Sequence, residues 1–560
     1  MESMSLSPQL RELDDDGDTA VMAPTLTLVS DVSRVQSRRY RWLAALVLLM
    51  VIELFLIQEL TLTATHSQSV VDLVLDRVLR LVLDGLMVGA LVMLLPRKAL
   101  PVFFATTLVY AFSVLAYFAY FERPLSGRII SAASGEGLSV VDAAFAVLSA
   151  GHLLLVVAFA AKCWLVHRAG WRWRSRTRRH LAWGGGCIAL YLGLIALLNL
   201  TYKPMEKLRT WETTAGIAQV YGYAPTWVAE VLLFQNDVLK ERALDRAEEP
   251  VQNRLAAVEA PLPRAERVVF LQIESFDEAL MGFRLDGKPV VPEMERIAAQ
   301  SRRYRVASNK ITGSSDSDFK ALMGRWPSID VPTYKIADYP FKDSIIDDLQ
   351  ARGYRTSAFH GVSGEFFNRR VGFTGMGFDE LFFREELEHA GVPSMGWSVL
   401  DDAVLDFAAA HLQGPGRQFA IVITATCHIP FHHVPEQANT FFPGSHALAE
   451  NYLDVSHYVD EGIGRFVDAL PDGTLVVLYG DHTSKVEYPE VGYAQLEHDG
   501  IGLVPFLVWQ KGADLAKTQR APSSLAESGE LSLLEALVWV HGQLLAEPPT
   551  QQHAAATAAP

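Results

Sequence analysis

The chain runs to 560 residues, half of them hydrophobic, with a formal net charge of −15. That length leaves room for more than one domain. An acidic chain offers no basic face for nucleic acid, which is excluded as a partner. The three cysteines, Cys163, Cys187 and Cys427, include no CxxC pair and give no disulfide framework.

Residues 1–41 contain an acid cluster, Asp14, Asp15, Asp16 and Asp18, in a Ser/Thr-containing stretch that reads as a solvated, disordered cytoplasmic tail. The stretch lacks the charged-then-apolar pattern of a cleavable leader. Residues 42–200 hold five apolar segments, at Trp42–Leu62, Leu79–Leu95, Pro101–Tyr120, His152–Val166 and Leu181–Leu200. At about 1.5 Å per residue they approach the roughly 30 Å of a bilayer's hydrocarbon, so a five-helix transmembrane bundle is expected. Basic residues set its orientation. Arg34, Arg38, Arg39 and Arg41 precede the first segment, Arg97 and Lys98 follow the second, and Arg168 to Arg179 crowd the loop after the fourth. If all five segments span, these stretches share the cytoplasmic side and everything after Leu200 lies outside. Glu53, Arg80 and Asp84 are costly in lipid and call for a headgroup or one another as partners.

Residues 201–263 form a connector with aromatics (Trp211, Tyr221, Tyr223, Trp227) suited to a membrane interface and a charged, helix-like stretch, Lys240–Glu259. Pro261 and Pro263 mark the next boundary. Residues 264–547 alternate strands (Arg267–Ile273, Tyr354–Phe359, Phe419–Thr424, Thr474–Tyr479, Val504–Trp509) with helices (Asp343–Arg352, Ser398–Leu412, Leu448–Leu470, Leu531–Leu545). That alternation predicts an α/β domain with a mostly parallel central sheet, whose ligands collect beyond the strands' carboxyl ends. Residues 548–560 read as a disordered tail.

Chemistry-bearing residues sit at those ends. Glu274 follows the first strand; Asp481-His482 follows Leu475–Gly480. Ser314 precedes a helical stretch, where N–H groups favour an anion, and Ser315 or Asp316 suits the N-cap. Glu, Asp and His give hard oxygen and borderline nitrogen donors fit for Mn²⁺, Zn²⁺ or Mg²⁺. A serine oxygen on the same cation becomes a nucleophile at neutral pH. His360 and His428 can donate to phosphate or protonate a leaving alcohol, and Arg369 can grip phosphate bidentately. His432 and His433 read as surface residues. Neither a GxSxG elbow nor a P-loop is present.

These residues, in this order, resemble the lipoteichoic acid synthase type of phosphoglycerol transferase, within the sulfatase-like alkaline phosphatase superfamily, over nearly the whole chain. Gln272-Ile273-Glu274-Ser275-Phe276 looks like that family's first metal-ligand strand end, Tyr479-Gly480-Asp481-His482 like its remaining ligands, and Ser314 stands at its nucleophile position. His360, Phe367 and Arg369 match its headgroup-binding stretch, and His428 another active-site histidine. The resemblance implies one divalent cation, Mn²⁺ foremost, on Glu274, Ser314, Asp481 and His482. It also implies catalysis by Ser314, His428 and His360, and transfer of phosphoglycerol from phosphatidylglycerol to a hydroxyl on a glycan, glycolipid or polymer. The location implied is the cell (inner) membrane. Two positions depart from the pattern: serine replaces the usual threonine at Ser314, and Phe367 stands where the synthases carry tryptophan. The same site would serve a phosphoethanolamine transferase or a phosphodiesterase, and a decayed relative would bind lipid or a partner without turnover. The Cys/Ser-x-Pro-x-Arg signature of true sulfatases is missing.

Overall fold

The computed structural model describes residues 23–62, 70–121, 123–132, 150–168, 178–202, 214–233, 236–435, 438, 440–498, 500–522 and 530–546. The acid cluster at Asp14–Asp18, Trp211 and the tail 548–560 lie outside them. The chain divides into two compact units.

The first unit is all-helical. Four helical stretches have the length and composition to cross a membrane: Arg41–Thr61, Leu100–Ala119, Gly151–Arg168 and Arg178–Leu200. Among the described residues, four of the five expected segments meet that standard. The remaining segment belongs to a 25-residue helix, Val70–Leu94, which is long enough but carries Asp72, Asp76, Arg77, Arg80 and Asp84 in its first fifteen residues. Apolar side chains such as Leu153, Leu154 and Leu200 point outward from the unit. The costly polar groups pair inside it. Lys162 holds Glu53 at 2.8 Å and Thr107 at 3.2 Å. Gln58 donates to Asp84 at 3.1 Å, and Arg80 binds Glu59.

The second unit takes in, among described residues, Thr61 and Leu62, the stretch from Ser113 to Ala132 and the chain from Thr201 onward. Three of the connector's aromatics fall among the described residues. Tyr221 and Tyr223 are buried, the Tyr223 hydroxyl lies 2.8 Å from that of Thr61, and Trp227 donates to the Leu125 carbonyl at 2.7 Å. The helix-like stretch Lys240–Glu259 is two helices, Asn236–Ala247 and Arg254–Val258, because Pro250 interrupts the ladder. Four buried charges tie these parts together: Arg128 binds Glu230 and Asp330, and Arg242 binds Asp330 at 2.7 Å.

A nine-stranded sheet follows. We number its strands β1 (Arg267–Ile273), β2 (Arg302–Ala307), β3 (Arg355–His360), β4 (Glu380–Phe382), β5 (Gln418–Ile423), β6 (Leu475–Gly480), β7 (Glu497–His498), β8 (Ile501–Gln510) and β9 (Leu531–Ser532). Their order is β9-β2-β8-β6-β1-β5-β3-β4, with β7 on β8. β8 runs antiparallel to its neighbours, whereas β1 pairs in parallel with both β6 and β5. β2, unforeseen in the sequence, lies against β8.

Alternation in β1 builds two cores. Val268 and Phe270 face one hydrophobic cluster with Trp539 and Ile346, while Val269, Leu271 and Ile273 face another with Val459 and Phe466. Both faces are covered, which is why the central strands read as unbroken apolar runs. Trimming a fully buried member such as Leu478 to alanine would cost about 2–5 kcal/mol.

Candidate active site

Strand register determines the first contact. Ile273 lies beside Gly480 in the parallel β1–β6 pair, so Glu274 and Asp481 leave the sheet side by side. Ser275 follows in a left-handed conformation, φ 51°, that turns its N–H onto Asp481 Oδ1 at 2.8 Å. The His482 N–H donates to the same oxygen at 2.7 Å. Asp481 Oδ2 is buried without a hydrogen bond and lies 3.4 Å from His482 Nε2. Glu274 Oε1 approaches that nitrogen at 3.4 Å too.

The imidazole is oriented by its other nitrogen. His482 Nδ1 lies 2.9 Å from the Thr483 carbonyl, which can only accept, so Nδ1 carries the proton and Nε2 offers its lone pair. Ser314 Oγ sits 3.1 Å from that Nε2. One ligand atom each from Glu274, Asp481 and His482 falls within 4.8 Å of the others, and the three residues are buried. The bare oxygen of Asp481, the fixed tautomer and the O,O,N donor set all suit a divalent cation.

Electrostatics agree. Burial works to raise Glu274, but when His482 carries a proton on Nε2 as well, its hydrogen bond and charge, then the charges of His428 and Lys310, outweigh burial and hold the carboxyl well below its usual value. Burial, then the charge of Glu274, push Asp481 well above its own. Two adjacent buried carboxyls cannot both ionise cheaply, and a cation removes that conflict.

Ser314 itself stands at the N-terminus of the helix Ser315–Met323. It occupies the cap position without a capping hydrogen bond, so neither Ser315 nor Asp316 caps the helix as expected. Asp316 instead accepts from the N–H groups of Ile311 and Thr312, at 2.7 and 2.8 Å, and from the Thr312 hydroxyl. Gly313, at φ +148°, lets the Phe367 ring lie directly on the backbone beside Ser314.

A second group of residues adjoins. Asp318, on the same helix as Ser315, accepts from Arg369 Nε at 2.5 Å, and an Arg369 terminal nitrogen lies 3.3 Å from His360 Nε2. His360 Nδ1 faces the Ile423 carbonyl at 2.9 Å. His360 is thereby an acceptor toward Arg369, and burial followed by the nearby guanidinium push it down to about 3. The ring is a neutral imidazole at physiological pH, with its Nδ1–H directed at the Ile423 carbonyl. Burial also lifts Asp318 to about 6 against the pull of Arg369, so the pair is ionic at neutrality. Phe367, at φ 55°, lies under Arg369 at 5.3 Å. His428 stands edge-on to Trp397 at 4.9 Å with Nδ1 toward the Ile429 carbonyl at 2.8 Å. His432 is exposed and His433 half-buried, as a surface position would have them.

The structure thus gathers Glu274, Ser314, Asp481 and His482 at one point and Arg369, His360 and Phe367 beside it. Sequence reasoning missed Asp318, Lys310 and Trp397. Asp318 alone had a local signal, as it falls one helical turn after Ser314 and shares its face.

Comparison with known proteins gives this arrangement a family. The sulfatase family matches residues 266–528. This segment is a sulfatase-family domain. Among curated proteins, the lipoteichoic acid synthase-like protein YvgJ of Bacillus subtilis is 24% identical over 287 residues, covering 48% of this chain and 46% of that protein. The lipoteichoic acid synthase of Staphylococcus saprophyticus is 25% identical over 236 residues, 39% of this chain and 36% of that one. The chain therefore spans less than half the length of these relatives, and the likeness read over nearly the whole sequence is matched over about half of it. Of solved structures, the lipoteichoic acid synthase LtaP from Listeria monocytogenes aligns at 20% identity and TM-score 0.40, over 49% of this chain and 72% of that one. The Streptococcus pyogenes phosphoglycerol transferase GacH, solved with sn-glycerol-1-phosphate, aligns at 16% and 0.38, over 57% and 89%.

Proposed function

We propose that this protein is a membrane-bound, metal-dependent phosphotransferase. It moves phosphoglycerol from phosphatidylglycerol to a hydroxyl on a glycan, glycolipid or polymer, on the outer side of the inner membrane. The observation that carries the reading is a serine hydroxyl 3.1 Å from a histidine nitrogen that two buried carboxylates also approach. The names of the curated relatives point the same way.

Glu274, Asp481 and His482 would hold the cation, Mn²⁺ foremost with Zn²⁺ and Mg²⁺ also suited, and Ser314 would complete the set. When bound, the ion supplies Lewis acidity toward a phosphoryl oxygen and the serine hydroxyl. Ser314 Oγ attacks phosphorus, the bond to diacylglycerol breaks, and a phosphoglyceryl-serine forms. Burial above all, with Lys310 contributing, lowers the His428 pKa, so its neutral imidazole can pass the serine proton to the departing oxygen. An acceptor hydroxyl then displaces the serine. Arg369, aimed by Asp318 and His360, grips the phosphate, and Phe367 lies against the glycerol.

Purified protein given labelled phosphatidylglycerol in vesicles should release diacylglycerol and carry a phosphoglyceryl adduct on Ser314; Ser314→Ala should do neither. The adduct's mass separates phosphoglycerol from phosphoethanolamine. Wild-type protein that takes up metal yet leaves every phospholipid intact would falsify the reading.

A further inference from the structure

Three residues past Glu274 lies a carboxylate that the scheme above does not use. Asp277 is fully buried. Its Oδ1 accepts from the Ser484 N–H at 2.7 Å. Its Oδ2 accepts from the Ser484 hydroxyl at 2.6 Å and from the Tyr493 hydroxyl. The Asp277 N–H donates to the Tyr452 hydroxyl oxygen at 3.2 Å, and that hydroxyl donates to the Ser275 carbonyl at 2.9 Å. The chain leaving β1 through Glu274 is thereby fastened to the chain leaving β6 through Asp481 a second time, beyond the last paired residues, Ile273 and Gly480.

The bond on Oδ1 holds one particular peptide group. The Ser484 N–H and the Thr483 carbonyl belong to the same planar unit. One end of that unit meets Asp277, and the other accepts the proton of His482 Nδ1 at 2.9 Å. A planar amide cannot turn one end and keep the other still, so the carboxylate that fixes the N–H also fixes the carbonyl. The carbonyl sets the tautomer of His482 and aims Nε2 at Ser314 Oγ, 3.1 Å away, and at Glu274 and Asp481, each 3.4 Å away. A histidine that ligates a cation depends on the partner of its other nitrogen in this way. Here that partner is a peptide, held in turn by an aspartate from the neighbouring strand.

We propose that Asp277 is a positioning residue for the cation: through the Thr483–Ser484 peptide it holds His482 with Nε2 turned to the other ligands, and so sets the affinity of the site. The inference rests on the phosphotransferase reading for its metal ion.

The test strips the full-length protein with a chelator and titrates it with Mn²⁺ by calorimetry. The metal-free melting temperature and the turnover of bis(p-nitrophenyl) phosphate are recorded alongside. Asp277→Ala should weaken Mn²⁺ binding about tenfold, a loss of about 1.4 kcal/mol. Turnover lost at low Mn²⁺ should return as Mn²⁺ is raised. Asp277→Asn keeps an acceptor for the Ser484 N–H and should lose only about threefold. Because asparagine carries no charge either, that recovery separates geometry from simple attraction of the cation. Ser484→Ala removes the hydroxyl contact but spares the peptide, and its affinity should match wild type.

Wild-type affinity in Asp277→Ala would overturn the inference. So would equal losses in Asp277→Ala and Asp277→Asn, or a loss in Ser484→Ala as large as in Asp277→Ala, since either would make the carboxylate a fastening of the loop alone. If Asp277→Ala does not fold, Asp277→Asn decides: affinity equal to wild type refutes the contact. Wild-type protein that binds Mn²⁺ but turns over no diester defeats only the transferase reading, and the titrations still decide. Wild-type protein that binds neither Mn²⁺, Zn²⁺ nor Mg²⁺ defeats both.

Discussion

A methyl group at Gly313 would come within 2.3 Å of the Phe367 ring, at a φ of +148° that side chains seldom adopt. Gly313→Ala should therefore push Phe367 off the backbone next to Ser314 and cut adduct formation at least about tenfold while the fold persists, since misplacement of about 1 Å can cost more than that. Wild-type adduct yield from that variant would contradict the contact. Asp318 supports a similar argument. Removing the partner of a buried guanidinium leaves an uncompensated charge, and Asp318→Asn should cost about 3–5 kcal/mol by chemical denaturation and raise KM more than it changes metal binding. At this scale the sequence was partly readable. Glu274 and Asp481 stood out because each ends an apolar run, where a carboxylate has no packing reason to be. Lys310 did not, because a lysine in a polar loop looks the same whether it ends exposed or buried, and its loop is held by Asp481, far along the chain.

Elements decide how firmly those residues are held. The Ser315–Met323 helix is braced near its far end by His541 of the C-terminal helix Leu533–Leu544, whose Nε2 lies 2.7 Å from the Ala321 carbonyl. Burial pushes His541 from 6.5 down to about 4. The unfolded chain takes up this proton near pH 6.5 while the folded chain resists it until about pH 4. The contribution to stability is full above the upper value and drains away as pH falls toward the lower. His541→Gln, which keeps a donor for the carbonyl, should flatten the stability profile over that window by up to about 1.4 kcal/mol per pH unit. Parallel curves for variant and wild type would rule out the role. The same scale explains what reading the sequence missed. The central strands were plain because both faces are buried. β2, Arg302-Arg303-Tyr304-Arg305-Val306-Ala307, hid its nature behind three arginines whose partners Glu259, Glu278 and Glu530 lie far off in sequence. The Val70–Leu94 helix has the length of a span, but its charged residues keep it below the apolar standard that four other helical stretches meet.

Across the second unit, stability leans on the buried quartet of Arg128, Glu230, Arg242 and Asp330, which joins the stretch before Ala132 and the connector to the sheet domain. Asp330 serves two guanidinium groups, so Asp330→Asn should destabilise the protein by about 3–5 kcal/mol, read as a lowered denaturant midpoint. An unchanged midpoint would show that the quartet is structurally idle. A metal bound at the proposed site would act on the same unit by mass action: stripping it with a chelator should lower the melting temperature, and re-adding Mn²⁺ at 100 times its dissociation constant should restore about 2.7 kcal/mol.

The pairing of Ile273 with Gly480 has one more consequence. Neighbouring strands lie about 4.8 Å apart whatever their side chains. The gap between the two carboxylates is therefore inherited from sheet architecture and not from any local choice of residue. The loops around the centre can diverge freely while the two carboxylates keep their places side by side. Slippage of either strand by a single residue would abolish that arrangement at once.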